Sequence, residues 1–127
     1  AVAAAKYFMG LFEYAYLTGD LDKWEEMSLE GCGFCSNVAD AVKKTHRDNH
    51  YMVSGAPKWI GKAKVSPVAG GPRWEVRLRA EVSASKVVDQ DAKVINEYPK
   101  ARQKVVLVME HDATSWRVLS VDIESDG

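Results

Sequence analysis

The chain has 127 residues, of which 46% are hydrophobic and 28% are charged. This composition is that of a globular domain and excludes a disordered chain. The 17 Lys and Arg residues nearly balance the 18 Asp and Glu residues, which excludes a global attraction to nucleic acid or to an anionic membrane. The apolar stretches are too short to cross a bilayer. The length fits one domain that spans residues 1–127.

Three helices are predicted in the first half of the chain, over residues 2–17, 21–29 and 36–49. In the first helix the apolar residues recur at i, i+3 and i+4, which is the spacing of one helical face. Gly19 suits the left-handed position after this helix, and Asp20 can cap the next one. Ser36 or Asn37 is the predicted cap of the third helix. The chain begins with Ala1 rather than Met, and we expect that an upstream targeting segment or anchor has been lost.

After His50 the apolar period changes from that of a helix to that of a strand. Residues 73–85 alternate strictly, with Trp74, Val76, Leu78, Ala80, Val82 and Ala84 on one side and charged or small polar residues on the other. Such alternation predicts an antiparallel sheet with one dry face and one wet face. Further strands are predicted at 58–65, 103–110 and 116–123, and residues 89–102 are predicted to be a long charged connection. The fold class is therefore α+β, with three helices packed on a four-stranded antiparallel sheet.

Two sets of residues are similar to known families. The first helix ending in Leu17-Thr18-Gly19-Asp20, together with the last strand at Ser115-Trp116-Arg117-Val118, resembles the NTF2-like (SnoaL-like) cone. Tyr14-Ala15, Thr18-Gly19-Asp20 and Cys32-Gly33-Phe34-Cys35 look like an actinobacterial family of secreted or lipoprotein-associated domains of unknown function. The resemblance implies that the sheet is curved and that its concave face often holds a ligand pocket. It implies no particular activity, since this fold serves many functions.

The usual cone carries a β-hairpin between its second and third helices, and here only residues 30–35 stand in that place. Cys32 and Cys35 form a C-x-x-C motif in this segment. We expect a structural disulfide of an exported protein, acting as a clamp in place of the hairpin. Free thiols and a redox-active dithiol are the alternatives, although the redox motif normally follows a strand. A structural zinc site would need a second ligand pair.

Other polar clusters are weak candidates for chemistry. His46 and His50 lie at i, i+4, and a metal site with Asp48 and His111 is conceivable. Because Arg47 stands where a zinc protease needs Glu, we interpret the histidines as a polar helix end. Asp89-Gln90-Asp91 lacks a calcium-loop pattern and is predicted to be a turn. No metal and no cofactor are predicted.

A basic outer face is predicted on two neighbouring strands, formed by Lys58, Lys62, Lys64, Arg73, Arg77 and Arg79. Glu75 and Glu81 interrupt it, which favours cross-strand charge pairing over nucleic-acid binding. No catalytic residue is predicted, because the inward positions of the longest strand are apolar. Asp122 and Ser120 face either the pocket or solvent. Tyr14, Tyr16 and Tyr51 can donate hydrogen bonds, which buried tyrosines commonly use on the core.

The expected function is therefore that of a non-catalytic extracytoplasmic domain, linked upstream to a membrane anchor and present as a monomer or weak dimer. It would bind a protein partner or a cell-envelope component. The alternative is a small-molecule binder, or an isomerase- or dehydratase-like enzyme, that takes a small apolar ligand. That alternative predicts an aromatic cavity lined by Phe12, Tyr16, Trp74 and Trp116.

Overall fold

The computed structural model describes residues 1–53, 57–68, 72–112 and 114–126. Three helices come first, followed by the strands of two antiparallel sheets. The helices are α1 (Val2–Thr18), α2 (Asp22–Met27) and α3 (Gly33–Arg47). The strands are β1 (Tyr51–Val53), β2 (Lys58–Trp59), β3 (Lys64–Pro67), β4 (Arg73–Val82), β5 (Ser85–Val88), β6 (Val94–Tyr98), β7 (Ala101–His111) and β8 (Trp116–Ser125). The predicted α+β class is confirmed.

Helix α1 ends where the sequence predicts. Gly19 adopts a φ of 78°, and its N–H donates to the carbonyl oxygen of Ala15 at 2.7 Å. The residue at the start of α2 is Leu21 and not the predicted cap Asp20, although the Asp20 side chain accepts a hydrogen bond from the N–H of Asp22 at 3.0 Å. Helix α2 is shorter than predicted, because the chain turns at Ser28 to pair with Val118 of the sheet.

Helix α3 begins at Gly33, so the prediction of a cap at Ser36 or Asn37 is wrong. The cap is Cys32, whose sulfur accepts a hydrogen bond from the N–H of Cys35 at 3.2 Å. A cysteine is not a usual capping residue, and the helix therefore starts earlier than its polar residues indicate. At the other end, basic residues occupy the last turn, where the helix dipole favours positive charge.

The larger sheet has five strands rather than the predicted four. Its order is β2-β4-β7-β8, and β3 pairs with the same edge of β4 as β2 does. Residues 58–65 were predicted to be one strand, but Gly61 adopts a φ of 66° and separates β2 from β3. A left-handed residue cannot continue a strand, which is why the alternating pattern is split in two.

The prediction that residues 89–102 form a long connection is wrong. Strands β5 and β6 form a hairpin here, and β1 pairs with the other edge of β5 to complete a three-stranded sheet. The Asp89-Gln90-Asp91 turn is confirmed, because the Asp89 side chain accepts from the N–H groups of Asp91 and Lys93 at 2.8 and 3.0 Å. The strand predicted over 73–85 accordingly ends at Val82, before this hairpin begins.

The core lies between the helices and the inner face of the larger sheet. Phe8 of α1 stacks on Trp24 of α2, with ring centroids 4.0 Å apart. Along β4 the predicted alternation holds at its centre, where the inward residues Val76, Leu78 and Ala80 are buried. Trp74 is 37% exposed because it lies near the end of the strand. The sequence also predicts turns over residues 67–72 and 111–114, of which residues 69–71 and 113 lie outside the described residues.

Candidate functional site

The two cysteines of the chain form a disulfide, as expected. Both are buried, at 3% and 2% exposure, so exchange with an external thiol is hindered and a redox-catalytic role is not supported. The indole N–H of Trp24 donates to the carbonyl oxygen of Cys35 at 2.9 Å. The disulfide closes the first turn of α3, contrary to the expected clamp between helices, and the Trp24 hydrogen bond holds this turn against α2. The presence of a disulfide is consistent with an extracytoplasmic location.

His46 links the ends of two helices. Its Nε2 lies 2.8 Å from the carbonyl oxygen of Tyr16, and its ring packs edge-on against Tyr51. A Cβ at Gly19 would lie 3.3 Å from the His46 ring, so glycine permits this close approach. His111 lies elsewhere, beside Trp116 with ring centroids 4.6 Å apart. Within the described ranges, no group of three His, Cys, Asp or Glu residues is arranged to hold a metal ion.

The four residues expected to line one aromatic cavity are not brought together. Phe12 lines a cavity of about 150 Å³, and Tyr16 packs against Phe12 with ring centroids 5.0 Å apart. Burial, with a smaller contribution from the Tyr98 phenol, raises the pKa of Tyr16. Trp74 and Trp116 instead border a shallow apolar hollow beside Ala1, at the opposite end of α1. The periodicity of a helix or a strand shows which face a residue occupies. It does not show how far apart two residues of different elements lie along that face.

The cavity beside Phe12 lies between α1 and both sheets. Its apolar lining includes Met9, Phe12, Met52, Trp59, Val82 and Val105. The polar residues that line it are Glu13, Ser85 and Gln103. None of the residues buried in the described ranges is polar or charged, so this part of the chain offers no buried acid or base for proton transfer.

Several exposed apolar side chains lie on the three-stranded sheet. The large apolar residues exposed there are Tyr51, Val53, Val94, Ile95 and Tyr98. The register places Tyr51 and Val94 opposite Val88, so these three side chains share a face. Tyr98 and Val53 border an adjacent groove of about 670 Å³. The sequence indicates only a small apolar cluster at residues 94–98, because the strands that assemble it are too short for a clear period.

The outer face of the larger sheet is charged, as predicted. Arg73 of β4 pairs with its direct partner Glu110 of β7 at 3.6 Å, whereas Arg77 pairs with Glu75 on its own strand at 2.6 Å. Lys58 lies directly opposite Glu81 in the register. The predicted cross-strand charge pairing is therefore present. Asp122 lies on the same outer face, in a groove with Arg77 and Lys104.

Several solved structures share the fold of this chain. An uncharacterised protein with a cystatin-like fold from Caulobacter vibrioides matches with a TM-score of 0.57 and 11% identity, covering 99% of this chain and 89% of that one. The intermembrane space region of the chloroplast protein ARC6 matches with a TM-score of 0.70 and 11% identity, over 98% and 95% of the chains. Aln2 from a Streptomyces species matches with a TM-score of 0.58 and 13% identity, over 98% and 90%. These likenesses show a cystatin-like α+β fold and nothing about activity.

The chain belongs to a family of unknown function (DUF6318), whose sequence pattern matches residues 1–122. Comparison with curated proteins gives no significant match. The narrower NTF2-like assignment and the actinobacterial origin stay predictions. In the part of the chain that the structure describes, no helix is both long and apolar enough to cross a membrane.

Proposed function

We propose that this chain is a non-catalytic extracytoplasmic domain that binds a protein partner through its three-stranded sheet. The observation that carries the proposal is the concentration of exposed apolar side chains on β1 and β6. Soluble proteins rarely leave such clusters open to water unless they serve as interaction sites. Burying them against a partner removes apolar surface from water, which is the main favourable term in association.

The polar residues around this surface favour a protein partner over a lipid surface. Lys86 and Glu97 face each other across β5 and β6, and both border the groove beside Val53. An apolar centre with neighbouring charges of both signs is typical of protein interfaces. A membrane-binding surface normally carries an excess of basic residues beside its apolar groups, whereas Lys86 here is balanced by Glu97.

The disulfide supports the proposed compartment. Structural disulfides persist in oxidising environments and are rare where thiols are kept reduced. The domain would accordingly meet its partner in the cell envelope or outside the cell. The absence of a polar residue among the buried positions of the described ranges supports binding rather than catalysis.

Photo-crosslinking tests this function. A photoreactive phenylalanine analogue would replace Tyr51 on β1, and in a second protein it would replace Tyr7 on α1. The two tyrosines are 40% and 53% exposed, so they are matched in residue type and both are accessible. We expect a discrete crosslinked protein in envelope extracts from the Tyr51 position and not from the Tyr7 position. Equal crosslinking at both positions, or none from the Tyr51 position, would contradict the proposal.

The cavity beside Phe12 supports a second candidate function, the binding of a small apolar ligand. Its volume of about 150 Å³ suits a benzene-sized molecule and is smaller than the usual pocket for a larger ligand. Titration with indole, observed through the methionine methyl signals in NMR, tests this candidate. It predicts that the signals of Met9 and Met52 shift while that of Met27 does not. Unchanged Met9 and Met52 signals would exclude it.

A further inference from the structure

A groove of about 520 Å³ crosses the outer face of the larger sheet, on a surface that the proposed function does not use. Its cationic side chains come from the β2–β3 segment, from β4 and from β7. We call this surface the cationic groove, and its cationic residues are Lys62, Lys64, Arg77, Arg79 and Lys104. Its acidic residues are Glu75 on β4 and, toward the opposite edge, Asp122 and Glu124 on β8.

The register of the sheet sets like charges against each other in this groove. Lys64 lies directly opposite Arg77, and Arg79 lies directly opposite Lys104. Like charges at directly opposed positions destabilise a sheet. Two such pairs on neighbouring rows therefore oppose folding unless an anion lies between them.

At one of these pairs the chain itself supplies the anion. The Asp126 carboxylate accepts from Arg79 at 2.8 Å and lies 3.9 Å from the Lys104 ammonium. The N–H of Asp126 also donates to the carbonyl oxygen of Arg102 at 2.9 Å, which holds the carboxylate in place. This arrangement shows that the groove accommodates a carboxylate between its cations.

At the other pair the charges are less well compensated. Arg77 contacts Glu75 on its own strand, but Lys64 and the neighbouring Lys62 have no carboxylate within salt-bridge distance among the described residues. The Lys62–Lys64 end of the groove thus has uncompensated positive charge at neutral pH. Because exposed lysines are strongly hydrated, a single anion would bind weakly there, and several adjacent anions are needed for specific binding.

We infer that the cationic groove binds an acidic, extended segment of a protein partner, with its carboxylates placed between Lys64, Arg77 and Arg79. Arg77 and Arg79 are two residues apart on one strand, a separation of about 7 Å. Acidic residues at alternate positions of an extended peptide have the same spacing. Asp122 and Glu124 repel such a segment from the β8 side and confine it to the side of β3 and β4.

Fluorescence anisotropy with a labelled peptide of six glutamates tests the inference. We expect binding that weakens as salt is raised, because the exposed charges are screened. Lys62→Glu combined with Lys64→Glu should weaken binding by about fivefold or more. The matched control is Lys43→Glu with Lys44→Glu on α3, which changes the net charge equally and should have a much smaller effect.

Asp126→Asn provides an independent readout, because it removes the carboxylate that competes for Arg79 and Lys104. We expect this variant to bind the peptide more tightly than the unmodified protein, which a purely structural role of Asp126 does not predict. The inference is overturned if the hexaglutamate does not bind, if the two double variants lose binding equally, or if Asp126→Asn binds less tightly. Binding of a linear polyphosphate without binding of the hexaglutamate would also overturn it. None of these results bears on the three-stranded sheet, so the proposed function is tested separately.

Discussion

The indole N–H of Trp24 donates a buried hydrogen bond to the carbonyl oxygen of Cys35, with a donor–acceptor distance of 2.9 Å. Trp24 also stacks on Phe8 of α1. A single side chain of α2 therefore connects α1 to the first turn of α3 beside the disulfide. This hydrogen bond joins α2 to the turn that the Cys32–Cys35 bond closes at the start of α3.

Trp24→Phe should lower the free energy of unfolding by about 1–3 kcal/mol, because it removes a buried hydrogen bond and part of the packing of the indole on Phe8. Urea unfolding measures this loss. Trp74→Phe is the control, since Trp74 is substantially exposed. A Trp24→Phe protein as stable as the control would show that the hydrogen bond is unimportant.

Replacing both cysteines separates the effect of the disulfide from that of the helix cap. The bond closes a short loop, so its loss should cost about 2 kcal/mol or less in unfolding free energy. Ser at position 32 can still accept from the N–H of residue 35, whereas Ala cannot. The Cys32→Ser, Cys35→Ser protein should therefore be about 1 kcal/mol more stable than the Cys32→Ala, Cys35→Ser protein in thermal or urea unfolding. Equal stabilities would rule out a capping role for residue 32.

Gly19→Ala should destabilise the protein by about 1–2 kcal/mol, because a φ of 78° is unfavourable for a residue with a side chain. The new Cβ would also press on the His46 ring. Adding His46→Ala relieves only the second effect. A double-mutant cycle in urea should thus show partial recovery, and full additivity would mean that the ring and the Cβ do not interact.

Acid should weaken the hairpin between β7 and β8. Hydrogen bonds from the N–H groups of Thr114 and Ser115 lower the pKa of Asp112 below its usual 3.8. A lowered carboxyl pKa stabilises the fold above the unfolded-state value, and this contribution is lost as the pH falls through the folded-state value. Asp112→Ala should therefore lower Tm at neutral pH, and the difference from the unmodified protein should shrink below about pH 3.8. A constant difference across that range would contradict this assignment.

The sequence predicts the helices and the long strands well, because each has enough residues to show its period. Helix α1 and the centre of β4 follow the predicted faces closely. The three-stranded sheet was missed, since β1 has only 3 residues and β5 only 4. Strands this short show no reliable alternation, and their stability depends on pairing between distant segments.

The candidate site was harder to predict for the same reason. Tyr51 and Val53 on β1 and Val94 on β6 come from segments some forty residues apart in the chain, and only the pairing of both strands with β5 brings them to one face. The aromatic residues predicted to meet in one cavity are separated along the length of α1. Sequence periodicity assigns a residue to a face but does not give its position along that face.

The affinity of the crosslinked partner for the purified domain tests the proposed interface most directly. Val53→Glu with Val94→Glu places charges on the apolar surface of the three-stranded sheet, whereas Val65→Glu changes an equally exposed valine on β3. We predict that the double variant lowers the affinity by about tenfold or more while Val65→Glu leaves it unchanged. An affinity that is the same for all three proteins, or that falls only with Val65→Glu, would contradict binding through the three-stranded sheet.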